Sequence, residues 1–481
     1  MKRVLAIALL IAALMFVAAC NREGAAGGGE IVTLQAVFPG VASPAHDTVM
    51  AQVNEQLVAD GLNINIEVTF FDDFFTQLGL NVAAGETMDL AWSHANYLGR
   101  NVGLGIYQRI DDALANYGQA ITSRTPEFLM MGGQVDGFQY AMPRIAPMTN
   151  NRNVFNLRQD LRESYGMGPI TTLEQLEAFF AAVAENDPDI IPVIGWLDEA
   201  LKPVFANYHF LVHRLLFVDP ADPTFTVRSW IHSPEAEALF ATIWNWVEQG
   251  WLPESAPHID GADAGFDTGQ VAALMANQMR AQERIVSFLA NVPDGMVETV
   301  TLEPAQNWIF FSGDNQLAVP ATSRNVNEAV QFVNWFKSSQ ENFDLWSYGV
   351  EGVNWRNVNG AIDPTIASGN DVYSMNIWMW DDIDLKRFPV GYPQSHIDRI
   401  RNLDRNTPMS PLLGFVFDES PVSLLRAQQN DIFWGHYSSF ATGVMNFAEG
   451  RYEFMELLDL AGLEETKAEV QRQLNEWLAN R

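Results

Sequence analysis

Hydrophobic residues in the N-terminal part of the chain follow two different spacings. Every second residue is apolar over 64–70, which is the pattern of a half-buried strand, and the β-branched and aromatic run 31–38 predicts another strand. Between these strands the apolar residues recur at helical spacing over 49–57, and they do so again over 74–82. The apolar segment 88–92 follows the second helical stretch. The order predicted is therefore β-α-β-α-β.

Strands that alternate with helices in this way predict a parallel, doubly wound sheet of the α/β class. Such sheets bind ligands beyond the carboxyl ends of their strands, where the sequence places Pro39-Gly40 and Trp92-Ser93-His94. The middle of the chain is more helical. Thr172 with Gln175 forms a capping-box pattern for a helix to about residue 184, and Ser233-Pro234 begins another helix. These elements predict a second lobe.

Two further amphipathic helices are predicted later in the chain. One follows Pro320 and has apolar residues at helical spacing over 329–336, and the other covers 470–478. The spacing does not assign either helix to a lobe.

Composition identifies the chain as globular and excludes several partners. It has 481 residues, of which 48% are hydrophobic and 18% charged, and this balance argues against disorder and against a coiled coil. The 28 Lys and Arg against 59 Asp and Glu give a formal net charge of −31. This charge repels nucleic acid phosphates and anionic lipids, so neither is an expected partner.

The N-terminus has the layout of a bacterial export signal. Lys2 and Arg3 precede the apolar run 4–17, which is shorter than the roughly 20 residues of a membrane span. Val-Ala-Ala-Cys at 17–20 contains the only cysteine of the chain, Cys20, and resembles the lipobox of bacterial lipoproteins, in which that cysteine is acylated. We expect a signal peptide over 1–19 and a Gly-rich tether over 20–30. A noncleaved anchor is the alternative.

Signals for enzymatic chemistry are weak in this sequence. The Walker A, dinucleotide-fingerprint, nucleophile-elbow and zinc-helix patterns are absent from it, and we expect neither a cofactor nor a metal. The carboxylate pairs Asp72/Asp73 and Asp381/Asp382 have the residue type that glycoside hydrolysis needs. Adjacent residues point to different sides of a strand or helix, however, so these pairs do not indicate a catalytic dyad. We expect no enzymatic activity.

Four short segments, in order along the chain, carry a resemblance to a known family. GFQYAMP at 137–143 looks like a segment where the chain of that family crosses between lobes, and FDTGQVA at 266–272 resembles one of its helix starts. GVEGVNW at 349–355 and SPLLGFVFD at 410–418 look like the LipO-type lipoprotein subgroup. The chain from Ile31 onward therefore resembles the family one extracellular solute-binding proteins of ABC importers.

The resemblance implies a two-lobed, periplasmic-binding-protein-like fold of type II, with a doubly wound sheet in each lobe and a ligand cleft between them. It implies an N-lobe over 31–143, a C-lobe over 144–312, a return to the N-lobe and hinge over 313–375, and a return to the C-lobe with a helical C-terminal region over 376–481. It also implies a monomer that is lipid-anchored to the outside of the cell membrane, with a carbohydrate ligand and ABC permease subunits as partners.

Aromatic residues near the predicted strand ends and crossovers are the candidates for sugar stacking, because the C–H face of a pyranose packs on Trp or Tyr. Trp92 ends a predicted strand, and the resemblance implies a cleft aromatic there. Trp378 and Trp380 alternate like one face of an extended segment. Each Trp has core packing as its alternative role. The predicted ligand-binding residues are Trp92, Ser93, His94, Asn151, Arg152, Trp196, Trp308, Trp355, Trp378, Trp380 and Asp381.

Three functional classes remain open at the level of sequence. The first is a tethered binding protein that delivers a mono- or oligosaccharide to a permease. The second is a secreted carbohydrate-active enzyme, and the third is a structural or adhesion lipoprotein of the cell surface. The sequence does not decide between a sugar and a peptide as ligand.

Overall fold

The structure is a computed structural model, and it describes residues 31–149, 153–253, 259–277, 284, 287–303 and 307–481. Its strands, in chain order, are β1 (Val32–Pro39), β2 (Ile64–Phe71), β3 (Leu90–His94), β4 (Gln134–Val135), β5 (Phe138–Gln139), β6 (Ala141–Pro143), β7 (Asn153–Arg158), β8 (Ile191–Ile194), β9 (His209–Val212), β10 (Leu216–Val218), β11 (Arg228–Ser229), β12 (Val271–Asn277), β13 (Val297–Val300), β14 (Asn315–Ala318), β15 (Arg356–Val358) and β16 (Ala361–Asp363).

Two α-helices begin where the sequence predicts. Thr172 caps a helix by the predicted capping box with Gln175, and Pro234 occupies the first turn of the helix that Ser233 caps. The α-helices are His46–Ala59, Phe74–Ala84, Ala95–Gly103, Asp111–Tyr117, Gln119–Arg124, Glu127–Met130, Gln159–Ser164, Leu173–Asn186, Leu197–Phe205, Pro234–Glu248, Ile259–Asp267, Val326–Ser338, Gln340–Tyr348, Gln394–Asn402, Ser423–Ala441, Phe447–Leu460 and Leu463–Ala479. In the part of the chain that the structure describes, no helix is both long and apolar enough to span a membrane.

The N-lobe is built on a five-stranded sheet in the order β2-β1-β3-β14-β6. β1 pairs in parallel with both β2 and β3, as the β-α-β-α-β pattern predicts. β14 arrives from far along the chain and pairs antiparallel with β3 and β6. Because β14 lies inside the sheet, the N-lobe is complete only when the chain has returned from the second lobe.

The C-lobe contains a four-stranded sheet in the order β13-β7-β12-β8 and a small sheet of β9, β10 and β11. β12 is parallel to β8 but antiparallel to β7, so this sheet is mixed, as is the N-lobe sheet, in which β14 runs antiparallel to β3. The reason is that β7 begins where the chain arrives from the N-lobe, so it runs in the opposite direction to β8 and β12. The C-terminal helices pack on this lobe through Phe433, Phe454 and Leu474, which join its core.

The N-lobe return extends further along the chain than predicted. Met379, Trp380 and Leu385 are buried in the same hydrophobic core as β1 and β2, although a boundary at 375 assigns them to the C-lobe. A buried tryptophan contributes a large apolar area, so the segment to about 385 belongs to the N-lobe by packing.

His209 on β9 gives the C-lobe a specific response to acid. Its Nδ1 lies 2.6 Å from Ser410 Oγ, and burial lowers the pKa of the imidazole to about 3. Below pH of about 6.5 the unfolded chain takes up a proton that folded His209 excludes. Stability is therefore fully present above that pH and declines as pH falls toward 3, with a slope of up to about 1.4 kcal/mol per pH unit from this residue. Urea unfolding of wild type and His209→Asn between pH 6.5 and 4 should show a shallower slope in the variant, and equal slopes would contradict this.

Candidate ligand-binding site

Aromatic side chains gather at the carboxyl edge of the N-lobe sheet. Trp92 on β3 is half-buried, and its ring centroid lies 5.0 Å from that of Phe75 and 5.4 Å from that of Trp378. His94 and Tyr97 follow, with ring centroids 5.8 Å apart. We call Phe75, Trp92, His94, Tyr97 and Trp378 the N-lobe aromatic group. Tyr97 is 47% exposed and Phe75 38%, so the group offers open ring faces to a ligand.

Trp92 is held in place by a polar contact from across the sheet. Its indole Nε1 donates to Asn315 Oδ1 at 3.0 Å, and Asn315 is paired in register with His94. The Tyr107 hydroxyl donates to the Trp92 carbonyl at 3.1 Å. His94 caps the helix Ala95–Gly103, because its Nδ1 accepts from the Asn96 amide at 3.2 Å. The strand and its neighbours therefore fix the orientation of the aromatic platform.

The structure separates Trp378 from Trp380, although the sequence pattern predicts that they share a face. They lie at a 3-10 turn, Ile377–Met379, where three residues complete a turn and positions two apart point to different sides. Trp378 is half-buried and meets Trp92 edge-on, at an interplanar angle of 90°. Trp380 is buried against Phe38 and Trp346. Its predicted role as a cleft residue is therefore wrong in this structure.

Three more of the predicted ligand-binding residues are buried core residues. Trp355 is 2% exposed and donates from Nε1 to the Gly349 carbonyl at 3.0 Å. Asp381 is fully buried beside the core residue Trp380. Its ion pair with Lys386, at 2.9 Å, compensates for the burial of the carboxylate. Ser93 is fully buried, because alternation along β3 turns it to the side opposite Trp92. The prediction that these residues contact ligand is corrected accordingly.

A second group of polar and aromatic residues lies at one edge of the C-lobe sheet. Trp196 follows β8, and the Arg214 guanidinium lies 5.0 Å from the Trp196 ring and 5.6 Å from the Trp434 ring. Arg214 pairs with Glu199 at 2.5 Å, and Asn153 Nδ2 donates to the other Glu199 oxygen at 3.2 Å. We call Asn153, Trp196, Glu199, Arg214 and Trp434 the C-lobe group.

Charge in the C-lobe group is balanced within the protein. Burial raises the pKa of Glu199, but Arg214 and Lys202 outweigh that effect and hold the pKa well below its usual range. Lys202 also donates to Asp198 at 2.6 Å, so two cations face two carboxylates. The group therefore offers ionised, hydrogen-bonding side chains beside aromatic rings without a large net charge. Hydroxyl groups of a neutral ligand suit such a surface.

The chain crossovers bring these two edges toward one another. β6 ends at Pro143, and β14 begins at Asn315 beside His94, so the chain leaves the N-lobe at the edge of the aromatic group. β7 begins at Asn153, opposite the end of β12 at Asn277. The carboxyl ends of β8 and β12 lie on that same side, because the two strands are parallel. Both groups consequently lie on the edges joined by the hinge.

A buried ion pair holds two of the crossovers together at the N-lobe. Arg144 donates to the two Asp314 carboxylate oxygens at 2.7 and 2.6 Å, and Nη1 donates to the Trp378 carbonyl at 3.1 Å. The two side chains are 6% and 9% exposed. The hinge pair therefore also positions one member of the N-lobe aromatic group.

The remaining predictions fall on crossovers or outside the described residues. Trp308 lies on the crossover that leads from β13 to β14. It is half-buried, and its Nε1 donates to Asn207 Oδ1 in the C-lobe. Asn151, Arg152 and Cys20 lie outside the described residues. The sequence analysis missed seven residues of this site: Phe75, Tyr97, Asn153, Glu199, Arg214, Asn315 and Trp434. The i,i+3 spacing of Glu199 and Lys202 is a local signal for part of this group, whereas Arg214 reaches it from the turn after β9.

Two α/β lobes joined by crossovers are also the fold of solved solute-binding proteins to which this chain is similar. Over its full length the chain is 22% identical to a carbohydrate ABC transporter substrate-binding protein of Streptococcus pneumoniae serotype 4, and the match covers 100% of this chain and 99% of that protein.

Solved structures show the same fold. The N-glycan transport solute binding protein NgtS from Streptococcus pneumoniae matches with a TM-score of 0.77 at 19% identity, over 93% of this chain and 99% of that one. The alginate-binding protein AlgQ2 matches with a TM-score of 0.66 at 15% identity, over 93% of this chain and 98% of that one. Residues 411–479 also match a domain of unknown function, DUF3502. That region contains the three C-terminal helices that pack on the C-lobe.

Proposed function

We propose that this protein captures a mono- or oligosaccharide between its lobes and delivers it to the permease of an ABC transporter. The observation that carries the proposal is the N-lobe aromatic group at the edge that adjoins the C-lobe group. A protein that matches this chain over its full length is named as a carbohydrate ABC transporter substrate-binding protein. An NgtS structure similar to this chain is described in complex with Man1GlcNAc. Both names support a sugar as the ligand.

The chemistry of the two groups suits a sugar. Pyranose rings present apolar C–H faces, which pack on Trp92, Trp378 or Trp196, and hydroxyl groups, which bond amides and carboxylates. Asn315 and Asn153 place amides beside the rings, and Glu199 places a carboxylate there. The proposed ligand-binding residues are Phe75, Trp92, His94, Tyr97, Asn153, Trp196, Glu199, Arg214, Trp308, Asn315, Trp378 and Trp434.

The other two functional classes are less well supported. The protein that matches this chain from end to end is a substrate-binding protein and not an enzyme. An adhesion or structural role does not explain aromatic and ionised groups on the two edges joined by a hinge. The binding-protein class explains both the two-lobed fold and the location of these groups.

Binding should close the lobes, because a ligand held by both groups gains contacts only when the edges approach. A panel of mannose-, glucose- and uronate-containing oligosaccharides, screened by calorimetric titration, should identify a ligand that is bound without being cleaved. X-ray scattering with that ligand at saturation should then give a smaller radius of gyration than the empty protein. Product release would favour the enzyme alternative, and an unchanged radius would contradict closure.

We also propose that the protein is attached outside the cell membrane through acylation of Cys20. The support is the sequence at 17–20, which resembles a lipobox. Since stable anchoring requires two or more lipid signals, Cys20→Ala should be released from the membrane or remain unprocessed. Fractionation of cells that express wild type and Cys20→Ala tests this. A processed Cys20→Ala protein that stays fully in the membrane fraction would contradict lipid attachment.

A further inference from the structure

A cavity of about 630 Å³ lies against the hinge, and none of the residues of the N-lobe aromatic group or the C-lobe group lines it. Its wall includes residues of the crossovers and of the helices Glu127–Met130 and Gln394–Asn402. We call it the hinge cavity. Its size falls in the range of small-molecule sites, which is about 300–1,000 Å³.

The inner wall of the hinge cavity is mostly apolar. It is formed largely by Phe128, Leu129, Ile145, Ile309, Ile383 and Ile400. Ile145 is the neighbour of Arg144, which contacts Trp378 of the N-lobe aromatic group, part of the proposed sugar site. Side chains alternate along an extended segment, so Ile145 faces away from that site. The cavity is thus a separate compartment on the other side of the first crossover, and its aliphatic wall provides little to bond the hydroxyls of a sugar.

The rim of the cavity carries charges of both signs, in a chain whose net charge is −31. Four arginines line it: Arg124, Arg401, Arg405 and Arg481. Three carboxylates line it as well: Glu127, Asp384 and Asp404. The Asp404 carboxylate already accepts from the backbone amides of Met148 and Thr149, at 2.8 and 3.2 Å. With Arg124 paired to Asp382, three arginines and three carboxylates remain on the rim, so a preference for an anion depends on which guanidinium groups are unpaired.

Two of these arginines retain unneutralised charge at the cavity. Arg401 donates from Nε to the Ile383 carbonyl at 3.4 Å, and Arg405 donates from Nη1 to Asn402 Oδ1 at 3.1 Å. Within the described residues, no carboxylate oxygen lies within 4.0 Å of a nitrogen of either guanidinium. Arg124, by contrast, is paired with Asp382 at 2.8 Å. Arg401 and Arg405 can therefore receive an anionic group without breaking an ion pair.

We propose that the hinge cavity binds a small amphiphile with an apolar body and a single anionic group, the body against the isoleucine-rich wall and the anion at Arg401 and Arg405. A carboxylate or phosphate suits the fork of a guanidinium, which donates two parallel hydrogen bonds. The apolar body would pack on the isoleucine-rich wall, and the anionic group would pair with the two arginines that have no carboxylate partner. This site is independent of the sugar site and does not rest on the proposed function.

The test uses decanoate, as a lipid-like acid, and 2-naphthoate, as an aromatic acid, titrated calorimetrically into the sugar-free protein below the concentration at which micelles form. Decylammonium is the matched cation. We expect at least one acid to bind with a Kd below about 1 mM and decylammonium to bind at least tenfold more weakly. Arg405→Glu should weaken binding of the acid at least tenfold, since Arg405 is exposed and its replacement spares the fold.

Arg472→Glu is the matched control, because it makes the same change in charge on the exposed surface of the helix Leu463–Ala479. It should leave acid binding unchanged, and Met409→Trp, which fills part of the cavity, should weaken it. Thermal melting of each variant confirms that it is folded. Equal binding of decanoate and decylammonium, equal effects of Arg405→Glu and Arg472→Glu, or no binding of either acid at 1 mM or so would each overturn the proposal.

Discussion

Replacing Trp92 by alanine is expected to weaken sugar binding by about 30-fold or more, because truncation of an aromatic anchor costs about 2 kcal/mol or more and 1.4 kcal/mol is a factor of ten. The empty protein should also lose about 1–2 kcal/mol of stability. Trp92 packs on Phe74 and Phe75 and donates to Asn315, yet it is only half-buried. Calorimetric titration and melting of the ligand-free variant measure the two effects separately.

Trp244→Ala is the matched control for Trp92→Ala. Trp244 is also half-buried and also has one side-chain hydrogen bond, to Glu248 at 3.0 Å, but it lies on the helix Pro234–Glu248 and belongs to neither group. It should lose stability with little change in affinity. A fully buried tryptophan costs about 3–5 kcal/mol when truncated. If Trp92→Ala shows a loss of that size together with near-native affinity, Trp92 is a core residue and the cleft assignment fails.

The parts of the fold that the sequence predicts are those governed by local patterns. The alternation over 64–70 and the capping box at Thr172 involve residues within one element, and both structures form as expected. The antiparallel direction of β7 and the place of β14 between β3 and β6 depend on where the chain returns after long excursions. No local pattern specifies such a return, so the mixed C-lobe sheet was not predictable from periodicity.

The candidate site shows the same limit more strongly. The sequence predicts Trp92 as a ligand-binding residue because it ends a predicted strand, and strand ends meet at one edge of a sheet. Its hydrogen-bond partner Asn315 is 223 positions away, and nothing near Asn315 in sequence indicates the contact. Trp380 and Trp355 have the same residue type as Trp92 but are core residues. The residue type shows which interactions a side chain can make, whereas its burial decides which of these tryptophans can contact a ligand.

Breaking the ion pair between Arg144 and Asp314 should have the largest effect on stability. Arg144→Met is expected to cost about 3–5 kcal/mol, because it leaves the Asp314 carboxylate buried without its cation. Asp314→Leu should cost a similar amount, because it removes the carboxylate that accepts two hydrogen bonds from the Arg144 guanidinium. Both side chains are less than a tenth exposed, so water cannot readily replace the lost partner. Urea unfolding of the ligand-free variants measures these losses.

The double variant Arg144→Met/Asp314→Leu should be clearly more stable than the sum of the single losses predicts, because it leaves neither charge unpaired. Arg162→Met is the control: Arg162 pairs with Glu298 inside the C-lobe, and its loss should reduce stability without changing sugar affinity. Arg144→Met should reduce both, since it also removes the donor to the Trp378 carbonyl. The double variant keeps that second defect, so it should regain stability but not full affinity. Recovery of affinity in the double variant would show that the hinge pair does not position the aromatic group, and no recovery of stability would contradict the explanation of the single losses by unpaired charge.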